Sequence, residues 1–564
     1  MLRTSTSFFA IAAAIFLAGC AGLGSMEKAL ETLGLSVTPE TLILVGEDVE
    51  VTINGNFPAK YFGKKIKLEA TPVLVWEGGE SAFETVAFQG EDAAGNYTVV
   101  SYEFGKSFTY TATVPYEVAM ENASHLELRI RGHQGDKSVD FAPFYLCDGV
   151  ITTQNLVQPD DKFMIIADNF QRTMPYTIND EINYTYNRSD VRASELRSDG
   201  WSAMKDLFIL AASADSVSLT GVTIEAHASP EGEISMNEDL ASERAASANA
   251  ALKTELKRNK IETADDFANL MAKGEDWDGF KKLMHASDIA DKDLILRVLD
   301  TYSDKTKREE EIRNIAKTYT EIEEQILPSL RRSMIAMDYT VEGYTDEELI
   351  DLSISAPATL TVEELLFSAI LFPFDYNAKL TIYTSCAATY SDDVRGHNNS
   401  GVCLMELGRF NQAKEAFNKA NSVEPNNNAV LNNLGATARQ EGKNGEAAEL
   451  LAKAGTSAET SYYKGLVAIT NGEYGSAISN MSGTTSANLA LAKLLNGDTN
   501  GAKTTLLNAK DDSAISSYLL AICCARLGDS AGASSNAQAA VAKDASLTAK
   551  AKADLEFKGI ELGL

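Results

Sequence analysis

The chain has little of what most enzymes, metalloproteins and membrane-spanning proteins need. Only five of its 564 residues are histidine, and none are spaced as metal ligands. Beyond residue 20, no stretch has the eighteen or more apolar residues that a bilayer span requires. P-loop and dinucleotide-binding fingerprints are missing as well. These absences predict a non-enzymatic protein with no cofactor and no metal site.

Basic residues are also scarce. Fifty Lys and Arg face eighty Asp and Glu, which gives a formal net charge of -30. A surface this acidic repels nucleic acid and anionic lipid headgroups, so nucleic acid is excluded as a partner. The length is too great for one hydrophobic core and predicts three or four domains.

Cysteine is equally sparse. Apart from Cys20, five cysteines occur, an odd number without a CxxC pattern, so neither a disulfide framework nor a metal site is expected. Small buried hydrophobic side chains are the expected role. They are Cys147, Cys386, Cys403, Cys523 and Cys524.

The first twenty residues resemble a bacterial lipoprotein signal. Arg3 precedes a short apolar run at residues 8–16, and Leu17-Ala18-Gly19-Cys20 matches the lipobox. The resemblance implies a signal peptide at residues 1–19, a lipidated Cys20, and a linker at residues 20–34. More than one acyl chain on Cys20 would suffice for stable membrane anchoring.

The membrane face is inferred from the residues that follow. Residues 21–25 lack the acidic run that sends lipoproteins to the cell surface in some Gram-negative lineages. We therefore expect an outer-membrane anchor facing the periplasm, with the cell surface as the alternative.

Residues 35–150 alternate between apolar and polar side chains. Val49, Val51 and Ile53 are one such series, and turn signals such as Gly78-Gly79 separate the series. A period of two predicts strands with one buried face, so this region is expected to be an antiparallel β-sandwich.

Residues 151–345 switch to alternating strand and helix patterns. We expect a central α/β domain with a helical insertion at about residues 260–328. The predicted strands are 182–186, 222–226 and 334–341, and the predicted helices are 194–212 and 235–258.

Part of this region resembles the OmpA-like domain, which in other proteins holds peptidoglycan. The matching residues are Ile224, Ala226, Ser229, Gly232, Asn237, Leu240, Arg244 and Ala245. The resemblance implies that Arg244 receives a carboxylate of the diamino acid in the stem peptide, through its planar fork of donors.

One position departs from the family pattern. Peptidoglycan binders place an Asp where this chain has Ser229, two residues before Glu231, which could supply the missing charge. The predicted peptidoglycan-binding residues are therefore Arg244, Asn237, Ser229 and Glu231. The alternative is a domain that serves only as a scaffold.

Residues 361–564 are helical and repetitive. Asn399, Gly401, Leu404, Gly408, Ala413, Phe417 and Pro425 resemble the tetratricopeptide repeat, and Gly401 to Gly435 spans the family's thirty-four residues. Weaker copies follow, and a hairpin at residues 363–390 is expected to start the array. The pattern predicts an all-α solenoid.

A solenoid of this kind has a concave groove that binds extended peptides or helices. Asn398, Asn432 and Asn433 lie between the packing positions, and an asparagine amide can donate to and accept from a peptide backbone at once. We expect them to bind a protein partner, with simple solvation as the alternative.

One enzyme-like string, G-x-S-x-G, occurs at residues 528–532. Helical residues precede it and no His follows, so it is interpreted as a turn between two repeat helices rather than a nucleophile elbow.

Two functions remain open. The first is a lipoprotein that links the outer membrane to peptidoglycan and to protein partners through its repeats. The second is an accessory subunit of an outer-membrane assembly or secretion complex, in which the OmpA-like domain is only a scaffold.

Overall fold

A computed structural model of the chain describes residues 22–121 and 123–564, with the backbone alone at residues 316–318. The predicted signal peptide and Cys20 lie outside the described residues. The described chain forms two compact units, one from residues 22–167 with 372–564 and the other from residues 168–371. Within the described residues, every helix is too short or too polar to cross a membrane.

The N-terminal part of the first unit is rich in β-structure, as predicted. β1, β2, β3 and β8 form one sheet and the other strands a second one, and the described pairs are antiparallel except β6 with β7. Val51 of β3 and Leu74 of β4 meet in a core between the sheets. The strands are β1 (Ser36–Thr38), β2 (Leu44–Val45), β3 (Asp48–Phe57), β4 (Ile66–Trp76), β5 (Gly79–Ala82), β6 (Val86–Gly90), β7 (Thr98–Val100), β8 (Lys106–Pro115), β9 (Ser124–Gln134), β10 (Lys137–Asp140) and β11 (Phe144–Gly149).

The predicted linker at residues 20–34 is largely folded. Helix α1 (Leu23–Lys28) and a 3₁₀ turn (Leu30–Leu33) pack against the sheets. Leu23, Met26, Leu30 and Leu33 are all at most 6% exposed and join the sandwich core. Their spacing of three to four residues places them on one face of a helix, which explains why this segment folds instead of forming a linker.

The second unit is an α/β domain. Its sheet has the strand order β12-β15-β13-β14, and only β13 and β14 run parallel within it. Trp201 of α2 and Leu252 of α3 pack with Ile224 and Ile335 of the sheet. The elements are β12 (Thr173–Asn183), α2 (Asp199–Ser213), β13 (Val217–Ala228), α3 (Ile234–Arg258), β14 (Ala268–Glu275), α4 (Trp277–Ala286), α5 (Lys292–Thr301), α6 (Lys305–Arg313), α7 (Ala316–Gln325), α8 (Leu327–Leu330), β15 (Arg332–Glu342), α9 (Asp346–Ser355) and α10 (Val362–Ile370).

Strand β14 lies inside the predicted helical insertion, so the insertion is shorter than expected. β14 is an edge strand whose side chains, from Ala268 to Lys273, are exposed or half-buried. An exposed edge strand lacks the alternation of apolar and polar side chains by which a strand is recognised in a sequence. Its hydrogen-bonded pairing with β13 stabilises β14 as a strand instead. The helices α4 to α8 that follow have a core of their own, centred on Phe280 and Ile295.

The remaining helices build the solenoid. Helix α10 belongs to the second unit, so the array begins about fifteen residues after the predicted start at residue 361. The helices are α11 (Tyr376–Thr389), α12 (Val394–Glu406), α13 (Phe410–Val423), α14 (Asn428–Gln440), α15 (Asn444–Lys453), α16 (Ala458–Thr470), α17 (Tyr474–Met481), α18 (Ala487–Leu495), α19 (Thr499–Ala509), α20 (Ala514–Arg526), α21 (Ser530–Lys543) and α22 (Leu547–Ala553).

Glycines in the first helices let the paired helices approach closely. A Cβ at Gly401 would lie 2.5 Å from the ring of Phe417, and one at Gly435 would lie 2.7 Å from Leu451. Gly528 of the G-x-S-x-G string has φ +76° between α20 and α21, a left-handed conformation that glycine adopts without strain. The string therefore covers the end of the turn between two repeat helices and the first residues of α21, with Asp529 as the N-cap.

Candidate functional site

The concave face of the solenoid holds a segment of the chain itself. Residues 157–167, here called the strap, lead out of the β-rich part and cross the first helices of successive repeats. Three asparagines of those helices, here called the ladder, pair with the strap backbone. They are Asn399 of α12, Asn433 of α14 and Asn488 of α18.

Each ladder asparagine bonds to both polar groups of one strap residue. Asn433 Oδ1 accepts from the N–H of Met164 at 2.7 Å, and its Nδ2 donates to the carbonyl of Met164 at 2.9 Å. Asn399 does the same for Ile166, at 2.9 Å in both directions. Asn488 pairs with Gln158 at 2.7 and 3.0 Å. The amide thus imitates a neighbouring β-strand.

The strap residues that bond to the ladder are separated by even numbers of positions. In an extended chain, alternate residues present their backbone groups to the same side. Gln158, Met164 and Ile166 therefore all turn these groups toward the solenoid. The strap runs opposite to the order of the repeats, because Ile166 lies on the first of these helices and Gln158 on the last.

Two strap carboxylates are held by side chains. Asp161 accepts from Arg439 Nη2 at 2.5 Å and from Gln440 Nε2 at 2.7 Å, and its side chain is only 2% exposed. Asp160 accepts from Tyr462 Oη at 2.6 Å and from Asn488 Nδ2 at 2.8 Å. Burial raises the pKa of Asp160, and burial together with the bond to Asp160 raises the pKa of Tyr462 to about 12.

The asparagines predicted to bind a partner lie in this groove. Asn433 belongs to the ladder, and Asn398 Nδ2 donates to the carbonyl of Met164 at 2.9 Å. Asn432 lies behind them, where its Oδ1 accepts from Thr460 at 3.0 Å. Asn398, Asn432 and Asn433 are 0% exposed, so they are not solvated side chains. Their contact with a separate partner stays a prediction.

Two members of the ladder, Asn399 and Asn488, were not predicted from the sequence to line the groove. Asn399 and Asn433 stand two residues before the close-packing glycines Gly401 and Gly435, and Asn488 stands two before Ala490. Aligning the copies on this small residue would have found them. No comparable feature of the sequence indicates that the groove binds the strap, a segment of the same chain.

Just before the strap, Gln154 ties the β-rich part to the solenoid. Its side chain exchanges two hydrogen bonds with the backbone of Gly46, both 2.9 Å long. The same amide donates to the carbonyl of Thr470 at 3.3 Å and accepts from Tyr474 Oη at 2.7 Å. With Gln154 3% exposed, these bonds form a dry joint within the first unit.

A second polar cluster lies in the α/β domain, at the carboxyl end of β13. The chain brings together Ser229, Glu231 and Asn237, three of the residues predicted to bind peptidoglycan. Ser229 Oγ donates to Glu231, and Asn237 Nδ2 donates to the carbonyl of Glu231 at 3.1 Å. Glu231 is paired with Arg331 at 2.9 Å, so its charge is already compensated.

Arg244 is bound to its own chain. It is 1% exposed and donates to the carbonyls of Arg188 at 3.0 Å and His227 at 2.8 Å. Its guanidinium lies over the ring of Tyr184, 5.0 Å from the centroid. Burial lowers the pKa of Arg244 to about 10. This arginine therefore fixes the loop after β12, and its binding to a stem-peptide carboxylate stays a prediction.

The part of the chain that the structure describes contains no group of three or more His, Cys, Asp or Glu side chains arranged to hold a metal ion. The five described cysteines are free and buried. Burial raises the pKa of the Cys147 thiol to about 11 and that of Cys403 to about 12, which disfavours reactive thiolates.

Helices α12 and α13 match a known family. Residues 394–427 are a tetratricopeptide repeat. The match confirms the predicted repeat, and tetratricopeptide repeats are modules of protein–protein interaction. No curated protein matches the chain.

Several solved structures, among them structures of tetratricopeptide repeat proteins, are similar to part of this chain. One, from Parabacteroides merdae, is 15% identical, with 37% of this chain and 91% of that chain covered and a TM-score of 0.30. Pseudomonas aeruginosa pilF is 15% identical over 38% and 99% of the two chains, with a TM-score of 0.30. YrrB, described as having an unusual peptide-binding site, is 13% identical over 37% and 97%, with a TM-score of 0.22.

The ladder generates a stability prediction. Asn433→Ala removes both bonds to Met164 and leaves the strap N–H without its acceptor, so we expect the free energy of unfolding of the first unit to fall by about 1–3 kcal/mol. Asn418→Ala, at an exposed position of α13, should change it by less than about 0.5 kcal/mol. Denaturant unfolding of the full chain measures both. Equal effects of the two substitutions would show that the ladder does not stabilise the unit.

Proposed function

We propose that this chain is a non-enzymatic, lipid-anchored adaptor of the Gram-negative cell envelope that holds a protein partner through its tetratricopeptide repeats. The observation that carries the proposal is the ladder. Its buried amides both donate to and accept from an extended backbone, which is the chemistry of peptide recognition and not of catalysis.

The proposed anchor is the acylated Cys20. Leu23, whose side chain lies in the sandwich core, is three residues from Cys20 in the sequence. Three residues span at most about 10 Å, so an anchor at Cys20 would hold the β-rich part close to the membrane. We place the body on the periplasmic face of the outer membrane, with the cell surface as the alternative.

The α/β domain is proposed to be an OmpA-like scaffold. The strand order β12-β15-β13-β14, together with the parallel pair β13–β14, supports the resemblance. The polar groups that would receive a diamino acid are nevertheless engaged within the domain, because Glu231 pairs with Arg331 and Arg244 donates to backbone carbonyls. An accessory role in an envelope assembly fits this arrangement better than peptidoglycan binding does.

Photo-crosslinking in intact cells tests the adaptor function. A photoreactive residue at the exposed Glu406 of α12 should capture a discrete protein from the membrane fraction, whereas one at Ile209, 57% exposed on α2, should not. In the Cys20→Ser variant the chain should move to the soluble fraction and lose fatty-acid labelling. Failure to capture a protein from Glu406 would contradict the adaptor function, and labelling that persists in Cys20→Ser would contradict the anchor.

Co-sedimentation with purified cell-wall sacculi tests the scaffold assignment. At low salt the full chain should stay in the supernatant, because the charges of Glu231 and Arg244 are satisfied internally. Glu231→Gln serves as the matched variant, since it keeps the shape and removes the charge. If the wild type pellets with sacculi and Glu231→Gln does not, the α/β domain binds peptidoglycan and the scaffold assignment is wrong.

A further inference from the structure

We propose that the strap is the resident ligand of a selective peptide-binding groove, and that a partner protein binds by inserting an extended segment of the same chemistry in its place. This inference rests on the proposed adaptor function and names the ligand class that the repeats recognise. The class is an extended segment with two adjacent aspartates followed two positions later by an aromatic residue.

The ladder supplies the part of recognition that is independent of sequence. Each of its asparagines bonds to the backbone N–H and carbonyl of one strap residue, at Gln158, Met164 or Ile166, and only Asn488 also bonds to a strap side chain, that of Asp160. Any extended peptide other than one with proline at these positions presents the same groups. Affinity for an extended chain therefore comes from the ladder, and selection among sequences must come from side-chain contacts.

Three contacts provide that selection. Asp161 fits between Arg439 and Gln440, where a guanidinium binds a carboxylate with two parallel donors. Asp160 is bound by Tyr462 and Asn488. Phe163 stacks on Phe417 of α13, with ring centroids 6.2 Å apart and planes 11° apart.

The strap forms an outer layer that can leave without opening the helices. Taken as whole residues, positions 157 to 167 are all exposed or half-buried, and Ile165 is 44% exposed, while the Asp161 side chain is the buried anchor. The polar side chains beneath it are covered, since Asn399 is 1% exposed and Asn433 0%. A site of buried polar groups under a partly exposed extended chain is the arrangement expected for a bound peptide rather than for a core strand.

Tethering explains why the resident segment wins in the isolated protein. A ligand joined to its site by a short connection has an effective concentration in the millimolar range or above. A free peptide with the same contacts therefore competes poorly with the strap. A partner must either make additional contacts outside the groove or bind while the strap is displaced.

The experiment uses the full chain and a fluorescent peptide with the sequence of residues 156–167. Met164→Pro/Ile166→Pro removes two strap N–H groups that bond to the ladder, and so weakens the resident ligand without touching the groove. Ile165→Pro is the matched control, because its N–H does not bond to the ladder asparagines. We expect the double variant to bind the peptide at least tenfold tighter than the wild type, and the control to resemble the wild type.

Sequence selection is measured with a second peptide. A peptide carrying the equivalent of Asp161→Asn should bind the double variant about tenfold more weakly, because the charged partner of Arg439 is lost. Equal binding of the two peptides would overturn the proposed ligand class. Equal binding of the first peptide to the double variant, the control and the wild type would overturn the displaceable strap.

A second variant keeps the test possible if the double variant does not fold. Asp161→Asn in the chain preserves shape and weakens only the strap's side-chain anchor, so peptide binding should again rise above that of the wild type. No rise would overturn the inference.

Partner capture from Glu406 separates this inference from the proposed adaptor function. Capture that the double variant leaves unchanged means that the partner uses another surface, which overturns this inference and leaves the adaptor function standing. Peptide binding without any capture overturns the adaptor function alone.

Discussion

The first unit depends on the pairing of buried asparagine amides with an extended backbone. Asn399, Asn433 and Asn488 have no access to water beneath the strap, so each must bond to a protein group. A buried amide left without a hydrogen bond costs about 1–3 kcal/mol of stability, and the same cost applies to the strap N–H and carbonyl groups that face the groove. Strap and ladder therefore satisfy each other, and a ladder that loses the strap needs another extended backbone or water to take its place.

The same segment determines how the first unit is assembled. Gln154, just before the strap, bonds to Gly46 in the β-rich part and to Thr470 and Tyr474 in the solenoid. Ion pairs add to this joint, with Lys550 3.3 Å from Glu121, and Lys558 2.5 Å from Asp148. These partly exposed pairs contribute little individually, so the buried amide and the strap are the main links between the two folds.

Local patterns in the sequence predicted the elements well where one face is buried and the other wet. The alternation through Val49, Val51 and Ile53 predicted β3, and the spacing of Gly401 and Gly435 predicted the repeats. Edge strand β14 escaped because its side chains are mostly exposed and therefore lack a periodic pattern. The segment at Leu23 escaped because a helix of six residues is too short to establish a period.

The groove could be predicted only in part. The asparagines Asn398, Asn432 and Asn433 were expected to bind a partner because an amide can donate to and accept from a peptide backbone at once, with solvation as the alternative. The sequence did not predict that residues 157–167 occupy the groove, because this segment, with Pro159, Asp160 and Asp161, has the composition of an interdomain linker. Such a segment gains its structure only from residues more than two hundred positions away.

Residue-resolved hydrogen exchange of the wild-type chain tests the central claim most directly. If the ladder holds the strap backbone, the N–H groups of Gln158, Met164 and Ile166 exchange at least about a hundredfold more slowly than that of Ile165, which corresponds to about 2.7 kcal/mol of opening free energy. Equal exchange rates along the strap would contradict the account, because they would mean that the asparagine amides do not hold this segment in solution.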